Sequence, residues 1–85
     1  MRVEVRASGL RAMRQRRGLT QRQLAKDLDV SQNYIPAIEA NDRQPGPKLQ
    51  QQMIRYFDCA FEDLFQVMLI DPETGREQLL QAASR

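Results

Sequence analysis

The chain has 85 residues, enough for one domain with a modest core. It has no histidine and a single cysteine, Cys59. That excludes an internal disulfide, a Cys–His nucleophile pair and histidine-based acid–base or metal chemistry. The net charge of +2 conceals an asymmetry. Residues 1–26 hold eight basic residues against one acidic, +7, whereas residues 27–85 hold five basic and ten acidic, −5. One end suits a polyanion and the rest offsets it. No apolar run reaches membrane-spanning length, and no signal-type apolar stretch follows the basic N-terminus, so a reducing, cytoplasmic setting is expected.

Residues 2–6, RVEVR, alternate charged and apolar, a strand pattern with Val3 and Val5 on one face. Ser8 is placed to cap a first helix running to about Arg17, with Leu10 and Met13 inward. Gly18 suits its left-handed end. Thr20-Gln21-Arg22-Gln23 reads as a capping box opening a second helix, whose inward stripe is Leu24, Ala25 and Leu28. Ser31 caps a third helix with Ile35 and Ile38 inward, and Asn41 ends it. Pro47 opens a fourth helix to about Phe57, with Met53, Ile54 and Phe57 inward. A short fifth helix covers Phe61 to Phe65. QVMLI, residues 66–70, is a β-like run closed by Asp71-Pro72, and it is expected to pair antiparallel with residues 2–6. Residues 74–85 read as a short helix capped at Thr74-Gly75-Arg76-Glu77, or as a frayed tail. Cys59, among Phe57, Ala60 and Phe61, is expected to be a buried structural thiol.

The informative stretch is LTQRQLAKDLDVSQNYIPAIE, Leu19 to Glu39. With only Asp29 and Val30 between them, its two helices must cross steeply, which is the helix-turn-helix arrangement. Its motifs, Leu19-Thr20-Gln21 with Leu24-Ala25 and Val30-Ser31 with Ile35, Ile38 and Glu39, resemble the Cro and phage-repressor type of helix-turn-helix, the XRE family. The likeness extends from about Leu10 to Phe65. It implies a mainly α, five-helix, lambda-repressor-like domain, here a single domain over 1–85 with its core at 8–65. Residues 2–6 and 66–70 would add a two-stranded antiparallel β-ribbon.

The resemblance also implies roles. Gln32, Asn33 and Ala37 would read bases, since an amide suits adenine's edge and a small apolar group the thymine methyl. Thr20, Gln21, Tyr34, Arg43 and Lys48 would meet phosphates. Arg14 and Glu39 occupy the positions of a family salt bridge. The implied function is a sequence-specific double-stranded-DNA regulator, a repressor acting as a homodimer on a palindromic operator with helix 32–40 in the major groove, in a bacterial or phage setting. Dimer candidates are Val3, Val67, Leu69, Phe61 and Phe65. RNA polymerase or a toxin stands as a further protein partner. The rival reading is a protein-interaction module or antitoxin component that keeps the fold with little DNA binding. Neither an enzyme, a cofactor nor a membrane partner is expected, as there is no phosphate-cradling glycine loop and no catalytic-looking carboxylate cluster.

The chain departs from the family pattern at Asp29 and Asn41, where glycine is usual, and at Gln50, usually apolar. Pro36 is the sharpest departure. In a helix interior it removes one hydrogen bond and crowds the carbonyl of Gln32, at about 3 kcal/mol. The expectation is a loosened first turn and a gain in stability on Pro36→Ser.

Overall fold

The computed structural model describes residues 1–80. Strand β1 (Arg2–Arg6) precedes helices α1 (Leu10–Arg16), α2 (Gln21–Leu28), α3 (Tyr34–Glu39), α4 (Pro47–Phe57) and α5 (Phe61–Leu64). Strands β2 (Gln66–Ile70) and β3 (Glu77–Leu79) follow. The helices enclose one core, in which Leu10, Leu24, Ile35, Ile38, Met53, Phe57 and Leu64 are fully buried. Leu49 joins them, while the expected inward Ile54 is half-buried.

Local chemistry explains most helix ends. The Gln23 N–H donates to Thr20 Oγ1 at 3.0 Å, and the Thr20 N–H donates to Gln23 Oε1 at 2.8 Å. This is the capping box of α2. Gly18 ends α1 at φ 69°. Asp29, Asn41 and Asp58 end α2, α3 and α4 at φ 58°, 64° and 51°. Asp and Asn tolerate this left-handed geometry better than most residues, so glycine is dispensable there. Gln50, polar where the family is apolar, donates through Nε2 to the Pro45 carbonyl at 2.9 Å and closes the loop onto α4.

Three sequence expectations are corrected. Ser8 does not cap α1, which starts from Gly9. The Gly9 N–H donates to the Leu64 carbonyl at 3.0 Å, and a Cβ at Gly9 would lie 2.1 Å from the Asp63 carbonyl oxygen. The close approach of α5 therefore sets where α1 begins. Ser31 does not cap α3 either: the helix starts at Tyr34, with Asn33 in the cap position. Pro36 is thus the third helical residue, where a backbone N–H has no intrahelical acceptor. The helix has moved past the position at which its proline would do harm, and Ser31–Asn33 form a turn.

The third correction concerns the C-terminal segment. β2 pairs antiparallel with β1 in the expected place, with Val3 opposite Leu69 and Val5 opposite Val67. Residues 77–79, however, form a third strand on β2 instead of a helix, with Met68 opposite Leu79 and Ile70 opposite Glu77. Gly75, at φ 74°, turns the chain, and its N–H donates to the Asp71 carbonyl at 2.8 Å. The Asp71 N–H donates to the Arg76 carbonyl at 2.9 Å and closes the hairpin. The remainder of the expected tail, residues 81–85, lies outside the described residues.

Paired residues in an antiparallel sheet share a face. One face carries Val3, Val5, Val67, Leu69 and Gln78. Near Val5, Ala7 and Phe65 it packs on the helical core. Beyond that it overhangs, with Val3 54% and Met1 79% exposed. The other face carries an ion-pair chain: Arg2 and Arg6 to Glu4 at 3.0 and 3.2 Å, and Arg6 to Glu77 at 2.7 Å. Arg6 holds the Glu77 carboxyl below its usual range. The outer edge of β1 is met by Gln44, whose Oε1 accepts from the Val5 N–H at 2.8 Å.

Candidate nucleic-acid interface

The elbow between α2 and α3 is made rigid from inside and outside. Inside, Leu24, Ala25, Leu28, Ile35 and Ile38 are buried. Outside, Arg14 of α1 meets Glu39, the last residue of α3. Its Nε donates to Glu39 Oε2 at 2.7 Å and its Nη2 donates to Oε1 at 3.1 Å. Both side chains are almost wholly buried. Arg14 Nη1 also donates to the Leu19 carbonyl at 2.8 Å, just before α2. Gln21 adds a third donor to the carboxylate, from Nε2 to Glu39 Oε1 at 3.0 Å. A buried charge pair with these extra partners resists opening, because parting it leaves a charge uncompensated.

On this frame the turn Ser31–Asn33 points outward. Gln32 and Asn33 are exposed, and neither is covered by the protein's own core. The Asn33 N–H donates to Ser31 Oγ at 3.3 Å, a local turn contact. Beside them Ser31, Asn33, Tyr34, Ala37 and Arg43 line a shallow hollow of about 200 Å³. The Arg43 guanidinium lies over the Tyr34 ring, 5.5 Å from its centroid, in a cation–π arrangement. Ala37 is half-buried within this hollow.

The other residues singled out from sequence fall in separate places. Thr20 is exposed at the start of α2, with its hydroxyl committed to the cap. Gln21 is half-buried, with one amide hydrogen held by Glu39. Lys48 is exposed in the first turn of α4, outside the hollow. Phe65, taken as a dimer candidate, is only 2% exposed and belongs to the protein's own core, so no partner can reach it. Phe61 is half-buried and packs against Phe65 with ring centroids 5.1 Å apart.

Sequence reasoning missed two residues of this surface. Ser31 lines the hollow instead of capping α3. Arg22 of α2 donates through Nε to Gln32 Oε1 at 3.2 Å. Ten positions separate them, and no local signal joins them before the crossing of the elbow is known. Arg17, counted among the general basic residues, instead ties α1 to α4. It donates to the Phe57 carbonyl at 2.6 Å, with its guanidinium 5.4 Å from the Phe57 ring centroid. Tyr56 donates to Asp27 Oδ2 at 2.6 Å, which raises its phenol pKa and fastens α4 to α2. Cys59 is half-buried, and burial pushes its thiol up. Among the described residues no group of His, Cys, Asp and Glu is arranged to hold a metal ion, and no helix is long and apolar enough to cross a membrane.

A family model described as Helix-turn-helix matches residues 10–64. The chain belongs to this helix-turn-helix family. It is similar to an uncharacterized HTH-type transcriptional regulator of Methanocaldococcus jannaschii, with 43% identity over 47 residues, covering 55% of this chain and 71% of the relative. It is also similar to an uncharacterized HTH-type transcriptional regulator of Archaeoglobus fulgidus, with 34% identity over 56 residues, 66% of this chain and 80% of the relative. The family match ends at Leu64, so β2 and β3 lie beyond it.

Proposed function

We propose that the chain is a sequence-specific double-stranded-DNA-binding regulator of transcription. In this reading it is a cytoplasmic repressor that places Ser31–Glu39 in the major groove. The observation that carries this is the exposure of Gln32 and Asn33 at the tip of an elbow whose base is closed by the buried Arg14–Glu39 pair. Gln32, Asn33 and Ala37 then meet base edges. In this reading Tyr34 and Arg43 beside the hollow, and Thr20, Gln21 and Lys48 away from it, serve as phosphate contacts. The names of the two relatives support a regulator.

The overhanging apolar face of the sheet supports a homodimer. Met1 and Val3, both exposed, with the half-buried Val67 and Leu69 beside them, offer a second copy an apolar surface, and Leu80, 52% exposed, extends it. Two-fold symmetry would set paired recognition segments about 34 Å apart, one turn of DNA, on a palindromic site. Duplex binding measured against salt tests the proposal. Affinity should fall steeply, by roughly 10³-fold or more between 50 and 200 mM salt for six or more phosphate contacts. The same apolar overhang favours the rival reading, a protein-interaction module that binds a toxin or another protein. Negligible duplex binding at low salt would select that reading.

A further inference from the structure

We propose that Arg22, a residue of α2 and not of the recognition segment, determines which base Gln32 selects. The proposal rests on the base-reading role given above to Gln32. Arg22 Nε lies 3.2 Å from Gln32 Oε1. A guanidinium has five N–H donors and no acceptor, so only the oxygen end of the amide can face it. The orientation of the amide therefore follows from chemistry.

An unrestrained glutamine presents a donor and an acceptor side by side, which matches the N6 and N7 edge of adenine. In Gln32 the acceptor is already engaged by a cation, and adenine's amino hydrogen must compete with that cation for the same oxygen. The NH2 group remains to face the groove. The positive charge of Arg22 beside it also disfavours the amino groups of adenine and cytosine and favours acceptor edges. Guanine offers two acceptors in the major groove, O6 and N7, and thymine offers O4. Gln32 in this chain thus selects guanine first and thymine second. The contact is exposed in the isolated protein. Docking into a groove removes water from it and strengthens it, so its influence is greatest where the base is read.

Selection of bound duplexes from a random pool, run in parallel with the intact chain and with Gln32→Ala, Arg22→Ala and Arg22→Lys variants, tests this. Gln32→Ala identifies the position in each half-site that Gln32 reads. The intact chain should enrich guanine there. Arg22→Ala should shift that position toward adenine by about tenfold and leave the other positions unchanged. Arg22→Lys, which keeps a donor-only cation, should keep guanine. Adenine at that position with the intact chain would overturn the proposal. So would an Arg22→Ala variant that weakens every duplex alike with the same base preferences, the behaviour of a phosphate contact. Failure of the intact chain to enrich any sequence would instead overturn the DNA-reading function itself. Arg22 is exposed, so the variants should keep the helical circular dichroism of the parent.

Discussion

Between Leu10 and Leu64 the helices close around one apolar cluster, whereas the three strands leave much of their apolar face uncovered. The helical part has an internal ion pair, Arg14–Glu39, that is nearly dry. The sheet has ion pairs too, but Arg2 and Glu77 lie in solvent, where each pair contributes little. The contrast teaches that the same kinds of contact carry different weight in the two halves. The elbow is held by burial, and the sheet by register and a side-chain amide from Gln44.

Four measurements sharpen or break this contrast. Glu39→Ala leaves Arg14 charged and buried, and should cost about 3–5 kcal/mol. Thermal unfolding followed by circular dichroism should then shift down by roughly 12 °C or more. A loss of only a few degrees would mean that the pair does not close the elbow. Val3→Lys combined with Leu69→Lys should raise the dissociation constant of a dimer by about thirtyfold or more. Sedimentation should show this with the helical signal intact, and an unchanged oligomeric state would remove the sheet face as the contact.

A smaller effect is expected at Pro36. Since it stands in the first turn of α3, Pro36→Ser restores a donor that has no helical partner, and stability should change by less than about 1 kcal/mol in denaturant titration. A gain near 3 kcal/mol would show that the helix had paid for an interior proline after all. The smallest effect belongs to Glu77→Gln. Arg6 lowers the Glu77 pKa, so its stabilising contribution is present above the ordinary carboxylate range and is lost as pH falls through the lowered folded value. The difference between parent and variant should therefore vanish on the acid side. A difference that persists in acid would mean that charge is not what ties β3 to β1.

The helical half was largely legible because its signals are local. The Thr20–Gln23 box, the glycine at position 18 and the spacing of Leu24, Leu28, Ile35 and Ile38 each act within a few residues. The pairing of β1 with β2 was legible from two short alternating or apolar runs at opposite ends of the chain. What failed depended on distant neighbours. Gly9 is required by the Asp63 carbonyl, a contact across 54 positions. Thr74 to Glu77 has the spacing of a helix cap, but Gly75 turns the chain back and β2 offers it an edge. Phe65 looked available because its neighbours are mixed in character, yet it ends α5 in an extended conformation just before β2 and is buried in the core. At the site, exposure of Gln32 was readable from its polar setting, while the Arg22 contact needed the angle of the elbow.

Gln32 and Asn33 stand on a turn whose side chains bury nothing, ahead of a helix of six residues anchored at its far end by Glu39. Exchanging exposed residues of this kind typically alters stability by no more than about 0.5 kcal/mol. Architecture and, under the proposed function, address are thus written largely in separate letters, and exposed residues such as these can be exchanged without the scaffold relearning how to fold.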